Sequence, residues 1–170
     1  MKVMWIIFII AVSAILITFI YAAKSAIGWV PIWSKDVASV IELAEIKQGE
    51  KFYDLGCGEG RVVVAAGRAG ANAVGYEISV LFYAIAKIRA WLEKGQIEIR
   101  WGDFWRADLS KADIIFFFLI PKIFPRMIAK LEKELKPGAR VISYVWPLEG
   151  WEAKKIAKRD TGPAIYLYKI

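Results

Sequence analysis

Hydrophobic and polar positions divide the chain into a uniform front end and a patterned remainder. Residues 3–23 contain no charged side chain, with Lys2 before them and Lys24 after. Wound as a helix at about 1.5 Å per residue, this run is about 32 Å long, close to one hydrocarbon core. It predicts a transmembrane anchor over residues 1–24. A cleaved signal peptide is the competing expectation, but its apolar part is about 7–15 residues, and Ala23-Lys24-Ser25 is a weak cleavage site. Residues 25–50 then form a connecting segment and a helix. Gly28-Trp29-Val30-Pro31-Ile32-Trp33-Ser34 places tryptophan where a spanning helix meets the headgroups. Ser34 is the expected N-cap of a helix with Val37, Val40, Ile41 and Ala44 on one face.

From residue 51 onward, short apolar runs alternate with helical periodicity. Residues 51–55 predict a strand, 61–69 a helix stopped at Gly70, and 72–77 a second strand. Ser79 is placed to cap a helix whose Leu81, Ile85, Ile88 and Leu92 keep helical spacing up to Gly95. Residues 97–101 alternate as a third strand. The unbroken apolar run 114–119 fits a strand buried on both faces. Pro121 ends it, Pro125 suits a first helical turn, and the helix continues over 127–136 to Lys136-Pro137-Gly138. A strand over 140–145 follows. Segments 151–159 and 164–168 flank Asp160-Thr161-Gly162-Pro163 as a terminal hairpin. This order predicts an α/β domain over 51–170, with a mostly parallel sheet and an antiparallel edge.

Composition narrows the chemistry. The chain has no histidine, which excludes His-based general bases, His-containing metal sites and Ser-His-Asp triads. Its single cysteine, Cys57, allows neither an intrachain disulfide nor a Cys-based zinc site. No metal is expected. The net charge of +7 suits nucleic acid, acidic lipid or simple solubility. Below a membrane anchor, a basic surface facing lipid is the economical choice.

The chemical signal lies in Phe52-Tyr53-Asp54-Leu55-Gly56-Cys57-Gly58-Glu59-Gly60-Arg61. A buried strand ends on a carboxylate, and three alternating glycines make the turn into a helix. Glycine permits positive φ and lets a ligand lie against bare main chain, while amides at the helix start are placed to meet a polar or anionic group. Gly56, Gly58 and Gly60 read G-x-G-x-G, not the G-x-G-x-x-G of dinucleotide folds, and no Gly-Lys-Ser or Gly-Lys-Thr follows. Asp-Leu-Gly-Cys-Gly-Glu-Gly-Arg resembles the first motif of the class I S-adenosylmethionine-dependent methyltransferases. That resemblance implies a Rossmann-like sheet preceded here by one transmembrane helix, with S-adenosylmethionine as cofactor and S-adenosylhomocysteine as product. Glu77, at a strand end, is the expected acceptor of the ribose hydroxyls. Asp103 is the expected acceptor of the adenine amino group, with Phe104 or Trp105 against the ring. Asp54 is placed to orient the cofactor's ammonium. Asp54, Gly56, Cys57, Gly58, Gly60, Glu77, Ile78, Asp103 and Phe104 are thus the expected cofactor-binding residues, Cys57 as a small packed side chain.

The likeness extends further. Val30-Pro31, residues 54–61, residues 74–77, Gly102-Asp103-Phe104, Phe118-Leu119, Gly150-Trp151 and the long stretch 131–143 resemble one group of small protein-lysine methyltransferases. The group includes broad-specificity archaeal enzymes and membrane-anchored mitochondrial ones acting on the ATP synthase c-subunit or the adenine nucleotide translocase. The Asn-Pro-Pro-Tyr element of nucleic-acid amino methyltransferases is replaced here by Phe118-Leu119-Ile120-Pro121, and no nucleic acid partner is expected. The resemblance implies lysine as acceptor. A channel of Phe118, Leu119 and Pro121, completed by Trp29, Trp33 and Trp146, is expected to receive it. Core packing or lipid contact is the other role open to the three tryptophans. No general base is nominated.

The expectation is a single-pass membrane protein with its catalytic domain on the cytosolic side, methylating lysines of membrane-proximal proteins. A phospholipid amino-group N-methyltransferase and a non-catalytic cofactor-binding membrane module are the alternatives.

Overall fold

The computed structural model of the chain describes residues 1–25, 30–158 and 162–170, and within the first helix the side chains at 11, 14, 15, 18, 19 and 21–25 lie outside the described set. The helices are α1 (Lys2–Ser25), α2 (Ser34–Ala44), α3 (Arg61–Arg68), α4 (Val80–Trp91) and α5 (Phe124–Glu134). The strands are β1 (Lys51–Leu55), β2 (Asn72–Glu77), β3 (Gln96–Trp101), β4 (Ile114–Phe117), β5 (Arg140–Tyr144), β6 (Lys155–Lys158) and β7 (Ala164–Lys169). They form one sheet in the order β3-β2-β1-β4-β5-β7-β6. β1 to β5 are parallel, and the β6–β7 hairpin adds the antiparallel edge.

Register brings the carboxyl ends together. Leu55 pairs with Tyr76 and Phe117, Phe117 pairs with Ser143, and Glu77 pairs with Trp101. The strand order turns back between β1 and β4, the place where open α/β sheets bind ligands. Alternating side chains of each strand feed two cores. Phe52, Phe116 and Ile142 join α2, α3 and Ala86 of α4 on one face. Tyr53, Leu55, Ile115, Phe117 and Val141 join Met127 and Leu131 of α5 on the other. All four residues of β4 are buried, as its apolar run requires. The strand stops at Phe117, so Phe118 and Leu119 lie past its end.

Two local expectations are corrected. The N-cap position of α2 is Trp33, without a side-chain cap bond, and Ser34 is the first helical residue. Leu81, Ile85, Ile88 and Leu92 form a stripe along α4, but that stripe faces outward. Ala86 is the buried residue of this helix. Helical spacing reports an apolar face without saying what covers it.

At the front, α1 touches α4, and Val3 to Ile10 expose their apolar side chains. Among the described residues no helix is long and apolar enough to cross a membrane. The expected span over residues 3–23 includes side chains outside the described set.

Candidate active site

The glycine turn leaves β1 and enters α3 with Gly56, Gly58 and Gly60 all at positive φ, at 85°, 53° and 83°. Gly60 has a second reason to lack a side chain: a Cβ there would lie 3.1 Å from Ala86 Cβ. Amides of the turn are taken up by the protein itself. Those of Gly56 and Cys57 donate to Tyr76 O at 3.0 and 2.9 Å, Gly60 N donates to Cys57 O at 2.8 Å, and Gly58 N donates to Glu77 Oε2 at 2.9 Å. The turn is sewn to the end of β2. It therefore offers bare backbone rather than a nest of free donors, which suits a cofactor without phosphate groups.

Two acids are buried at this rim. Asp54 is 2% exposed, and its Oδ2 accepts the Val63 amide at 3.2 Å. Burial above all pushes its carboxyl up to about 8; the Val63 amide opposes the shift and the Glu77 charge adds to it. Glu77 is raised too, again by burial, against the pull of the Ser79 and Gly58 amides. Ser79 N donates to Glu77 Oε1 at 2.8 Å. The buried Ser79 hydroxyl has no hydrogen-bond partner among the described residues. A desolvated hydroxyl beside two costly carboxylates fits a polar, cationic ligand, whose charge and donors would offset both penalties.

The other expected cofactor residues surround this centre. Ile78, between Glu77 and Ser79, accepts the Trp101 indole N–H on its carbonyl at 3.0 Å. Asp103 follows β3 and accepts the Trp105 amide at 3.0 Å, starting a short 3₁₀ turn over Phe104–Arg106. Phe104 is buried in the α5-side core with its ring 4.9 Å from that of Trp105, and the Arg126 guanidinium lies 4.1 Å from the Trp105 ring. Cys57 is buried, and a Cβ on Gly75 would come within 2.8 Å of its sulfur. Burial, followed by the charges of Asp54 and Glu77, raises its thiol well above the usual range. It packs as a small side chain.

Of the expected channel residues, Phe118 and Leu119 follow the end of β4 at this rim. Leu119 is buried, and its Cδ2 lies 3.7 Å from where a Gly56 Cβ would stand. The Phe118 ring meets Tyr144 edge-on at 4.8 Å. Pro121 is exposed at the start of a 3₁₀ turn, Pro121–Ile123. Trp33 and Trp146 are each about half exposed. Trp29 lies outside the described residues.

Several residues that shape this rim are absent from the sequence-based set. Tyr144 Oη donates to the buried Asp36 at 2.6 Å, linking β5 to the first turn of α2. Arg61 Nη1 donates to Ser34 Oγ at 2.9 Å and to Ile32 O at 3.5 Å. Glu59 pairs with Arg61 and also with Arg89. The segment before α2 is thereby strapped over the glycine turn. Val145, beside Tyr144, has a positive φ of 77°.

Residues 54–155 match the family described as the ANTKMT methyltransferase domain. The chain is similar to a protein-lysine N-methyltransferase of Saccharolobus islandicus (strain REY15A), 36% identical over 151 residues, which are 85% of this chain and 94% of that protein. It is similar to the lysine N-methyltransferase of the ATP synthase c-subunit from Rattus norvegicus, 33% identical over 147 residues, or 84% of this chain and 68% of that one. Among solved structures, an RNA methyltransferase from Salinibacter ruber in complex with S-adenosyl-L-homocysteine has a TM-score of 0.79 and 30% identity, covering 83% of this chain and 94% of the other.

Proposed function

Since the chain belongs to the ANTKMT methyltransferase domain family, and is with it an S-adenosylmethionine-dependent protein-lysine N-methyltransferase, we propose that it works at a membrane, anchored by its first helix and modifying lysines of bilayer-proximal proteins. The bound cofactor supplies a sulfonium methyl group for transfer to a lysine amine. In this proposal Asp54 orients its ammonium, Glu77 and Ser79 meet its ribose, and Asp103 meets its adenine. The observation that carries this placement is the pair of buried carboxylates, Asp54 and Glu77, on either side of the glycine turn.

A free lysine, with a pKa of about 10.4, is neutral about once in two thousand at pH 7. Lowering that pKa is the protein's main task, and an apolar channel does so by desolvating the ammonium. Phe118, Leu119 and Pro121 are the proposed wall beside Gly56, with Trp33 and Trp146 at the mouth. Asp36 accepts the Tyr144 hydroxyl, so this carboxylate has a partner other than an incoming ammonium. Catalysis then rests on positioning and water exclusion.

The uncharged run 3–23, the exposed apolar side chains of α1 and the net charge of +7 support the membrane assignment. S-adenosylmethionine is made in the cytosol, which favours a cytosolic catalytic domain. The test is to incubate the full chain with radiolabelled methyl donor and native membranes, then separate protein, lipid and RNA. Label on lysine side chains of membrane proteins is expected. Label in the lipid extract would transfer the activity to phospholipid amino groups, and label in RNA would replace the lysine substrate. Deleting residues 1–24 is expected to keep activity on soluble lysine-rich proteins while losing the preference for membrane targets. Equal labelling of membrane proteins by both forms would remove the targeting role.

A further inference from the structure

Outside the active site, the largest anomaly is the outer face of α4. Leu81, Ile85, Ile88 and Leu92 recur along one stripe of the helix, and all four are exposed. Trp91 extends the stripe and is 82% exposed. Trp101, at the end of the neighbouring edge strand β3, is 61% exposed, with its indole N–H turned back to Ile78 O. Six large apolar side chains thus share one side of the molecule, well beyond the scattered exposure that any soluble surface carries.

We propose that this face lies on the surface of an anionic bilayer, as a second membrane contact besides the first helix; the inference rests on the membrane reading above. Three observations select lipid. Lys87, one turn before Trp91, and Lys94, just past the end of α4, are exposed, where their stems can run along apolar surface while the ammonium groups reach phosphate. Arg89 is held by Glu59 at 2.9 Å and leaves the apolar stripe clear. Finally, α1 touches α4, so the helix that bears the stripe adjoins the apolar segment that would enter the bilayer.

The contact has a functional consequence. α4 begins next to Glu77 and Ser79 and returns along the sheet to β3, so its axis runs roughly along the strands. With α4 flat on the headgroups, the strand ends point along the membrane surface. The channel mouth then opens sideways at headgroup height instead of facing the bulk solvent. Lysines in short loops at the bilayer surface become the accessible acceptors.

The experiment places a nitroxide on the full chain at Ile88→Cys, and separately at Lys133→Cys on the exposed side of α5, leaving the buried Cys57 in place. Each form is bound to vesicles of phosphatidylcholine with and without phosphatidylglycerol. Collision rates with oxygen and with a water-soluble nickel complex then report depth. On anionic vesicles the Ile88 label is expected to lose at least about fivefold of its nickel accessibility and gain oxygen accessibility, while the Lys133 label stays in water. Lys87→Glu with Lys94→Glu is expected to reverse the protection. A chain that floats with vesicles while its Ile88 label remains open to nickel overturns this inference and leaves the anchor standing. A chain that does not float overturns the membrane reading and this contact with it. Dipolar coupling between Ile88 labels that survives tenfold dilution in the vesicles assigns the face to a second copy and also overturns the proposal.

Discussion

The hydroxyl of Tyr144 donates to the carboxylate of Asp36 at 2.6 Å, joining residues 108 apart in sequence, and both side chains are buried. Together with the Arg61–Ser34 bond, this pair holds the start of α2 against the rim of the sheet. The first turn of α2 is thereby coupled to the end of β5, near where the acceptor lysine is proposed to enter.

Tyr144→Phe keeps the ring against Phe118 and removes only the donor. A buried carboxylate that loses a charge-assisted bond costs about 1.5–3 kcal/mol. The expected variant is less stable by that amount and has a raised KM for protein substrate. Its affinity for S-adenosylhomocysteine should be unchanged, because the amides of the glycine turn are held by Tyr76, Cys57 and Glu77. Denaturant unfolding and steady-state kinetics measure both. Weakened cofactor binding with an unmoved substrate KM would instead assign the pair to the cofactor pocket.

Glu77 uses one oxygen for each of two amides, Ser79 on Oε1 and Gly58 on Oε2. Glutamine retains one acceptor and turns an NH₂ group toward the other amide, so even this small change should open the turn. At about 1–3 kcal/mol per unsatisfied buried group, Glu77→Gln should lose about tenfold or more in cofactor affinity. Glu77→Ala should lose more and abolish turnover. Calorimetric titration with S-adenosylhomocysteine checks the order. Equal affinity in wild type and Glu77→Gln would show that the carboxylate serves the fold alone.

Much of this rim was legible in advance because strand and acid coincide: β1 carries Asp54 near its end, and β2 closes on Glu77, as their apolar lead-ins predict. β4 was legible as a run without polar residues. The outward face of α4 was not, since periodicity is the same for a stripe against protein and a stripe against lipid. Asp36 was hidden for a different reason. In the first turn of an amphipathic helix an acid reads as a solvated group, and its partner lies on a strand formed late in the chain. The bonds of the glycine turn's own amides cannot be read from the sequence, because their acceptors, Tyr76 O and Glu77, become neighbours only through β1–β2 pairing.

Asp54 makes the protein sensitive to pH in a defined direction. Its folded-state value of about 8 stands above the ordinary value of about 3.9, so between these limits the folded protein holds more protons than the unfolded chain. Stability from this group is full below about pH 4, falls as pH rises, and is lost above about pH 8. A cofactor ammonium beside Asp54 favours the ionised form. Binding at pH 7 should therefore release a proton and tighten from pH 6 to pH 8. Calorimetry in two buffers of different ionisation enthalpy counts the proton; none released, or an affinity falling over this range, would remove Asp54 from contact with the cofactor's charge.

Val145 is a β-branched residue in the left-handed region, with φ 77°, between Tyr144 and Trp146. Such a conformation costs about 1–3 kcal/mol and persists only where neighbours enforce it. Here Val145 N donates to Ala164 O at 2.8 Å, and Ser143 Oγ donates to Trp146 O at 2.7 Å, so the bend is fixed on both sides. Its effect is to carry the chain out of β5 and leave Trp146 half exposed at the rim. Val145→Gly relieves the strain, but gives up a half-buried side chain and about 0.5–1 kcal/mol of backbone entropy. These terms nearly cancel, so stability should move by less than about 1 kcal/mol. Glycine no longer holds the bend as firmly, and turnover on protein substrate should fall severalfold while cofactor affinity stays constant. Chemical unfolding beside kinetics separates the two effects. A stability loss above about 3 kcal/mol would show that the bend carries no strain, and unchanged turnover would remove Trp146 from the channel wall.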